Sequence, residues 1–222
     1  MNNIKTFENF NNKDIFTYIK NNDIKSVKNY INSGYDLDKQ NNDGITTIIY
    51  SIFYNRIKII ELLLNAGANP NKQDNNGNTA LIKAASNNYV EIVKFLLDAG
   101  ADIDKQDNNG DTALILAAFY NRMEIVKLLL NVGADLNKQD NEGYTALISA
   151  AFYNRIEIIK LLLDYGADEF ILNDENKSFY DYLDDENKQY FIQNYPTSVY
   201  NAISHWYKKS FTEFVKDYNI KK

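Results

Sequence analysis

Between residues 38 and 169 the sequence repeats itself every 33 residues, and few architectures accept a period of that length. The frame divides into 38–70, 71–103, 104–136 and 137–169, and the last two copies agree at about 24 of 33 positions. Each copy reads K-Q-D/N-N-x-G-x-T, then a short apolar stretch, an Asn, and a longer amphipathic stretch that closes on Gly-Ala. Gly77, Gly110 and Gly143 share one place in the frame, and Gly100, Gly133 and Gly166 share another. A unit this short cannot bury its own apolar face, so consecutive units must stack and stability becomes a sum of units and nearest-neighbour contacts.

The residue types of one unit have physical reasons. Thr79, Thr112 and Thr145 stand where a hydroxyl caps a first helix, satisfying an N–H group that a helix start leaves unpaired. Leu81, Ala84 and Ala85 then share one face, and the alanines let neighbouring units approach closely. Asn88, Asn121 and Asn154 end that helix, because Asn accepts a left-handed backbone better than any residue but Gly. Val90, Ile92, Val93, Leu96 and Leu97 recur at helical spacing in the second helix, which Gly100 closes.

The runs D-x-x-G-x-T-A-L-I-x-A-A and E-I-V-K-x-L-L-x-x-G-A-D, in this frame, resemble the ankyrin repeat over about three quarters of the chain. The resemblance implies an all-α solenoid of stacked helix-turn-helix units with protruding hairpins. The family's Pro-Leu-His segment is here Ala80-Leu81-Ile82, Ala113-Leu114-Ile115 and Ala146-Leu147-Ile148, so apolar contacts replace its imidazole hydrogen bond. Residues 1–37 read as an N-terminal capping repeat, 38–169 as four full repeats and 170–196 as a degenerate C-terminal capping repeat. Residues 197–222 read as an extra amphipathic C-terminal helix, with Val199, Ile203, Tyr207, Phe211, Phe214, Val215 and Tyr218 on its stripe. Two readings of that helix stand: a cap over the last repeat, or a detachable motif that itself binds a partner. The spacing from Leu130 to Asn137 also resembles the one asparaginyl hydroxylases accept in ankyrin hairpins.

Composition narrows the chemistry. The chain has no cysteine and one histidine, His205, so thiol catalysis, cysteine-ligated metals and mechanisms needing two histidines drop out. Ser204 beside His205 lies on a different side of a helix, and no oxyanion-type Gly motif accompanies them. The Asp184-Asp185-Glu186 cluster is explained by the favourable field at a helix start. No catalysis, cofactor or metal site is therefore expected. With 30 Asp and Glu against 24 Lys and Arg, the net charge of −6 argues against nucleic acid as a partner. The N-terminal sequence lacks the pattern of a signal peptide and no long apolar run occurs, so the cytoplasm is the expected location, with secretion by a non-classical route as the alternative, and no membrane partner is expected. A monomer is the expected state.

The family resemblance implies a protein-interaction scaffold whose concave side, formed by hairpin tips and first helices, grips one partner. The alternative is an adaptor whose C-terminal helix binds while the repeats act as a spacer. Three units carry the same pair before the helix-ending Asn: Phe53-Tyr54, Phe119-Tyr120 and Phe152-Tyr153, with Ser86-Asn87 interrupting. Either these rings form a stripe that anchors a partner, or each Phe packs between units and only Tyr is exposed. Tyr144 adds an aromatic on a hairpin tip, while Asp111 and Glu142 supply charge suited to a partner with a basic rim. Arg56, Arg122 and Arg155 are expected to cover the turns and pair with acids such as Glu91, Glu124 and Glu157; the Lys and Asp of the K-Q-D element read as solvated hairpin charges.

Overall fold

The first helix of each full repeat begins where a threonine hydroxyl takes the place of a missing carbonyl. Thr46, Thr79, Thr112 and Thr145 accept from the backbone N–H three residues on, each at 3.2 Å. The computed structural model describes residues 14–195, and there the chain forms two compact units, residues 14–84 with 91–102 and residues 85–90 with 103–195. In the first unit α1 (Ile15–Lys20) packs on α2 (Ile24–Asn32) and α3 (Thr47–Phe53), and α4 (Ile57–Asn65) packs on both α2 and α3. The helices α5 (Ala80–Ser86) and α6 (Val90–Asp98) follow. In the second unit α7 (Ala113–Phe119) packs on α8 (Met123–Asn131) and α9 (Ala146–Phe152), and α9 packs on α10 (Ile156–Asp164) and on a 3₁₀ turn, Phe179–Tyr182. The last described helix is α11 (Asp185–Asn194), capped by Asp184, whose carboxylate accepts from Asn187 N–H at 2.8 Å.

The chain reverses between the helices of a pair through a left-handed residue. Asn55, Asn88, Asn121 and Asn154 have φ between 52 and 62°. After α3, Asn55 N–H bonds Ile52 O and Arg56 N–H bonds Ser51 O, a Schellman pair that satisfies two orphan carbonyls. The Gly-Ala signature works the same way after the second helix: Gly133 N–H bonds Leu130 O, Ala134 N–H bonds Leu129 O, and Ala134 is buried. The core consists of the residues that helical spacing predicts: Leu81, Ala84, Ala85, Ile92, Val93 and Leu96 are all buried. Val90 and Leu97 are only half-buried.

The hairpins are built from side-chain amides and carboxylates. Asp107 Oδ1 accepts from Asn109 and Asp111 N–H at 2.8 and 3.0 Å, and Asp140 Oδ1 accepts from Glu142 and Tyr144 N–H at 2.9 and 2.8 Å. Asp74 does the same for Asn76 and Asn78. The Asp of K-Q-D is thus more than a solvated charge, since one of its oxygens folds the hairpin. The Gln of the same element bridges successive hairpins. Gln106 Nε2 donates to Gly110 O at 2.6 Å and to Gln139 O at 2.9 Å, and Gln139 Nε2 to Gly143 O at 2.8 Å and Leu172 O at 3.0 Å.

The ends depart from the expected pattern in detail. Asp23 caps α2 and holds Ser26 through both N–H and hydroxyl. The segment expected to supply a sixth first helix is only the four-residue turn Phe179–Tyr182, because Asp184 starts α11 two residues later. Residues 197–222, with His205 and the expected C-terminal helix, lie outside the described residues.

Gly110 needs both its backbone angle, φ +82°, and its lack of a side chain, since a Cβ there would lie 2.7 Å from Asn141 N. Gly133, at φ +88°, has open space around it. Gly133→Ala is expected to cost about 1–2 kcal/mol, the penalty of a left-handed L-residue, and Gly110→Ala clearly more, because the neighbouring hairpin must also move. Equal losses of melting temperature in the two variants would contradict the tight hairpin contact.

Candidate functional site

The Phe-Tyr pairs end first helices, so each is held at a helix C-terminus by the Schellman turn behind it. In the second unit their rings join into one chain. Tyr120 meets Phe119 at 4.7 Å between centroids, Phe119 meets Tyr153 of the next repeat at 4.3 Å, and Tyr153 meets Phe152 at 4.9 Å. Phe152 then contacts Tyr144 at 5.9 Å and Tyr182 at 5.1 Å. Tyr120, Phe152 and Tyr153 keep 44, 48 and 38% of their surface exposed, whereas Phe119, Tyr144 and Tyr182 are half-buried. The first unit has its own shorter group, in which Tyr50 touches Phe16 and Tyr54, and Phe53 touches Tyr54 while remaining 74% exposed.

Neither expected arrangement of the pairs holds throughout. Only at Phe119-Tyr120 is the Phe covered and the Tyr exposed; at Phe53-Tyr54 the order is reversed, and at Phe152-Tyr153 both rings are exposed. The local neighbours decide this. Tyr54 is drawn against Tyr50, leaving Phe53 outside, while Phe119 finds the Tyr153 ring to cover it.

Tyr182 belongs to the site although its sequence position, in the shortened last repeat, did not single it out. Its hydroxyl lies 3.1 Å from that of Tyr144 and accepts from Asn173 Nδ2 at 2.7 Å. Burial, together with the Tyr182 hydroxyl, pushes the Tyr144 phenol well above its ordinary range, so it stays neutral and serves as a hydrogen-bonding group.

The arginines cover the turns, but their bonding differs from the expected acid pairs. Arg56, Arg122 and Arg155 lie over the rings of Tyr54, Tyr120 and Tyr153 at 5.8, 5.8 and 6.0 Å. Arg56 donates to Lys20 O at 2.8 Å and Arg122 to Ser86 O at 3.3 Å, each the last carbonyl-bearing residue of a preceding first helix. Glu157, proposed for such a pair, is bound by Lys160 at 2.9 Å. A guanidinium finds helix-end carbonyls nearer than carboxylates here, and the negative end of the helix dipole favours it.

Asn78, in the hairpin before α5, is buried, with its Nδ2 donating to the Asp74 carboxylate at 3.2 Å. Asp111 occupies the equivalent place one repeat on and is half-buried. Burial, reinforced by the charges of Asp107, Asp140 and Glu142, pushes its carboxyl up to about 7. Asn137 Oδ1 is engaged by Asp168 N–H at 2.9 Å.

A family model described as ankyrin repeats (3 copies) matches residues 15–107 and 100–173. The chain belongs to the ankyrin-repeat family. Its described residues form the all-α helical repeats of that family, whose members are generally protein–protein interaction modules and typically non-catalytic. No curated protein matches the chain. Among the described residues of this ankyrin-repeat protein no helix is long and apolar enough to cross a membrane, and no group of three or more His, Asp or Glu side chains could hold a metal ion.

The Asp111 position predicts a pH effect on stability. Its folded pKa lies above the value of about 3.9 for an unfolded carboxyl, so the folded state retains a proton that the unfolded chain releases, and stability falls as pH rises from about 4 to 7. Asp111→Asn is expected to stabilise by about 1 kcal/mol at pH 8, after discounting for the carboxyl's partial exposure, and by much less at pH 4.5. Thermal melts at the two pH values check this, and an equal gain at both would refute it.

Proposed function

We propose that this ankyrin-repeat protein is a non-catalytic interaction scaffold that grips a protein partner through the aromatic face of its second unit. The observation that carries this reading is the unbroken chain of ring contacts from Tyr120 through Phe119, Tyr153 and Phe152 to Tyr144 and Tyr182, half of it open to solvent. Rings already packed against one another lose little conformational freedom when a partner covers them, and tyrosine offers a large apolar area with a polar edge. Such residues are enriched among those that dominate binding energy. Phe53 and Tyr54 form a separate, smaller candidate contact in the first unit, and Glu142 and Asp111 add negative charge on the Tyr144 hairpin and on the hairpin fastened to it.

A photo-cross-linking residue in place of Tyr120 or Phe152 is expected to trap a partner in the source cell, whereas the same residue in place of Tyr165, exposed at the end of α10, is not. With the trapped partner purified, Tyr120→Ala and Tyr153→Ala should each cost about 1–2 kcal/mol of affinity while the fold persists. Capture from Tyr165 alone, or unchanged affinity in the double variant, would move the binding face elsewhere.

A further inference from the structure

The hairpins beside the aromatic face carry carboxylates that, among the described residues, no cation neutralises. Asp111 stands one repeat before Tyr144 at the same place in its hairpin, each N–H donating to the aspartate four residues earlier. The two hairpin tips are fastened together: Asn141 N–H donates to Asn109 O and Asn141 Nδ2 to Asn108 O, both at 2.9 Å. This brings Asp107, Asp140 and Glu142 close enough to act on Asp111, and among the described residues the charges acting on it are negative. Asp107 and Asp140 each spend one oxygen on backbone N–H groups. Among the described residues none of the four takes part in an ion pair, and the Asp111 and Glu142 carboxylates accept no hydrogen bond from the protein.

A half-buried carboxylate left without a partner is an unfavourable arrangement that a cationic ligand relieves. Nucleic acid and anionic lipid surfaces would add to the repulsion, so the charge selects among occupants of the aromatic face. Resting on the proposed aromatic binding face, we infer that the partner presents a peptide segment in which an apolar or aromatic anchor, seated on the Tyr120–Tyr182 rings, neighbours lysine or arginine side chains that pair with Asp111 and Glu142. Asp111 and Glu142 then set specificity, and the rings supply area.

Selection of a random peptide display library on the full chain tests this. Recovered peptides are expected to be several-fold enriched in Lys and Arg beside a large apolar residue. A recovered peptide should bind at least tenfold more weakly to the Asp111→Asn/Glu142→Gln variant, which keeps the side-chain shapes and whose melting temperature at pH 7 should not fall below wild type. Its affinity for the wild-type chain should rise several-fold from pH 6 to pH 8, as Asp111 ionises against Asp107, Asp140 and Glu142, and should weaken with added salt. Peptides without basic enrichment, or indifferent to the charge-removing variant, overturn the inference while leaving the aromatic face intact if Tyr120→Ala/Tyr153→Ala still abolishes their binding. Peptides indifferent to the tyrosine substitutions sink the face itself. Failure to recover any peptide overturns the inference, with cross-linking at Tyr120 deciding the face separately. Concentration-dependent self-association lost in the Asp111→Asn/Glu142→Gln variant would make the occupant a second copy and overturn the partner assignment.

Discussion

Within each unit the spacing of successive hairpins rests on a glutamine amide that bonds two hairpins at once. In the second unit Gln106 and Gln139 each close their own turn on a glycine carbonyl and donate again to the backbone 33 residues on. In the first unit Gln40 does the same, donating to Gly44 O at 2.6 Å and Gln73 O at 2.9 Å. Two bonds from one NH₂ group are worth about 1–3 kcal/mol in total, modest against the buried apolar core. Their effect is geometric: they set the distance between successive tips. A second line of bonds, from the first residue of each repeat to the backbone near the end of the same repeat, holds the hairpin base, as Asp104 does for Asp135 N–H at 2.9 Å. Helix packing then fixes the body of each repeat and this polar lattice fixes its projecting edge, so aromatic and charged residues there are held by a rigid support.

Much of this was legible from residue types alone. Threonine caps, left-handed asparagines, the Gly-Ala closure and the buried leucines and alanines are local features, each dictated by a backbone requirement or by helical spacing, and a 33-residue period states them several times over. The double role of the glutamine was not legible. Its signal was present, a glutamine kept between Lys and Asp or Asn in every full copy, but a bond to a residue 33 positions away depends on stacking distance, which period alone does not give. The arginines show the same limit. Charge matching points to glutamates, whereas the folded chain offers the end of a neighbouring helix at bonding distance.

The Phe-Tyr pairs illustrate why exposure is the hardest property to read from a repeat. Identical dipeptides at identical places in the frame have opposite exposure because their surroundings differ by single residues. Tyr50 draws Tyr54 inward, and its counterparts Leu116 and Ser149 cannot do so with a ring. Tyr153 covers Phe119 and is itself left partly open. The fold is set by what the copies share and the candidate site by where they differ, and a difference can be interpreted only once the neighbouring copy is in place.

At Asp111 the difference between copies carries a cost. The preceding repeat has Asn78 there, which donates to Asp74 and satisfies the hairpin from within. Aspartate has no hydrogen to donate when ionised, so the same position faces the Asp107 carboxylate as a like charge and gains nothing in return. A chain built from copies of one unit holds a satisfied alternative in its own sequence, and stability alone would select it. Departures from local consistency without an internal compensation are where a function outside the fold is best sought, and the compensation for this one is a cation that none of the described residues provides. The hairpin of this acid is fastened to the one that carries Tyr144, a member of the most extensive run of contacting rings among the described residues, so one partner segment can meet both needs at once.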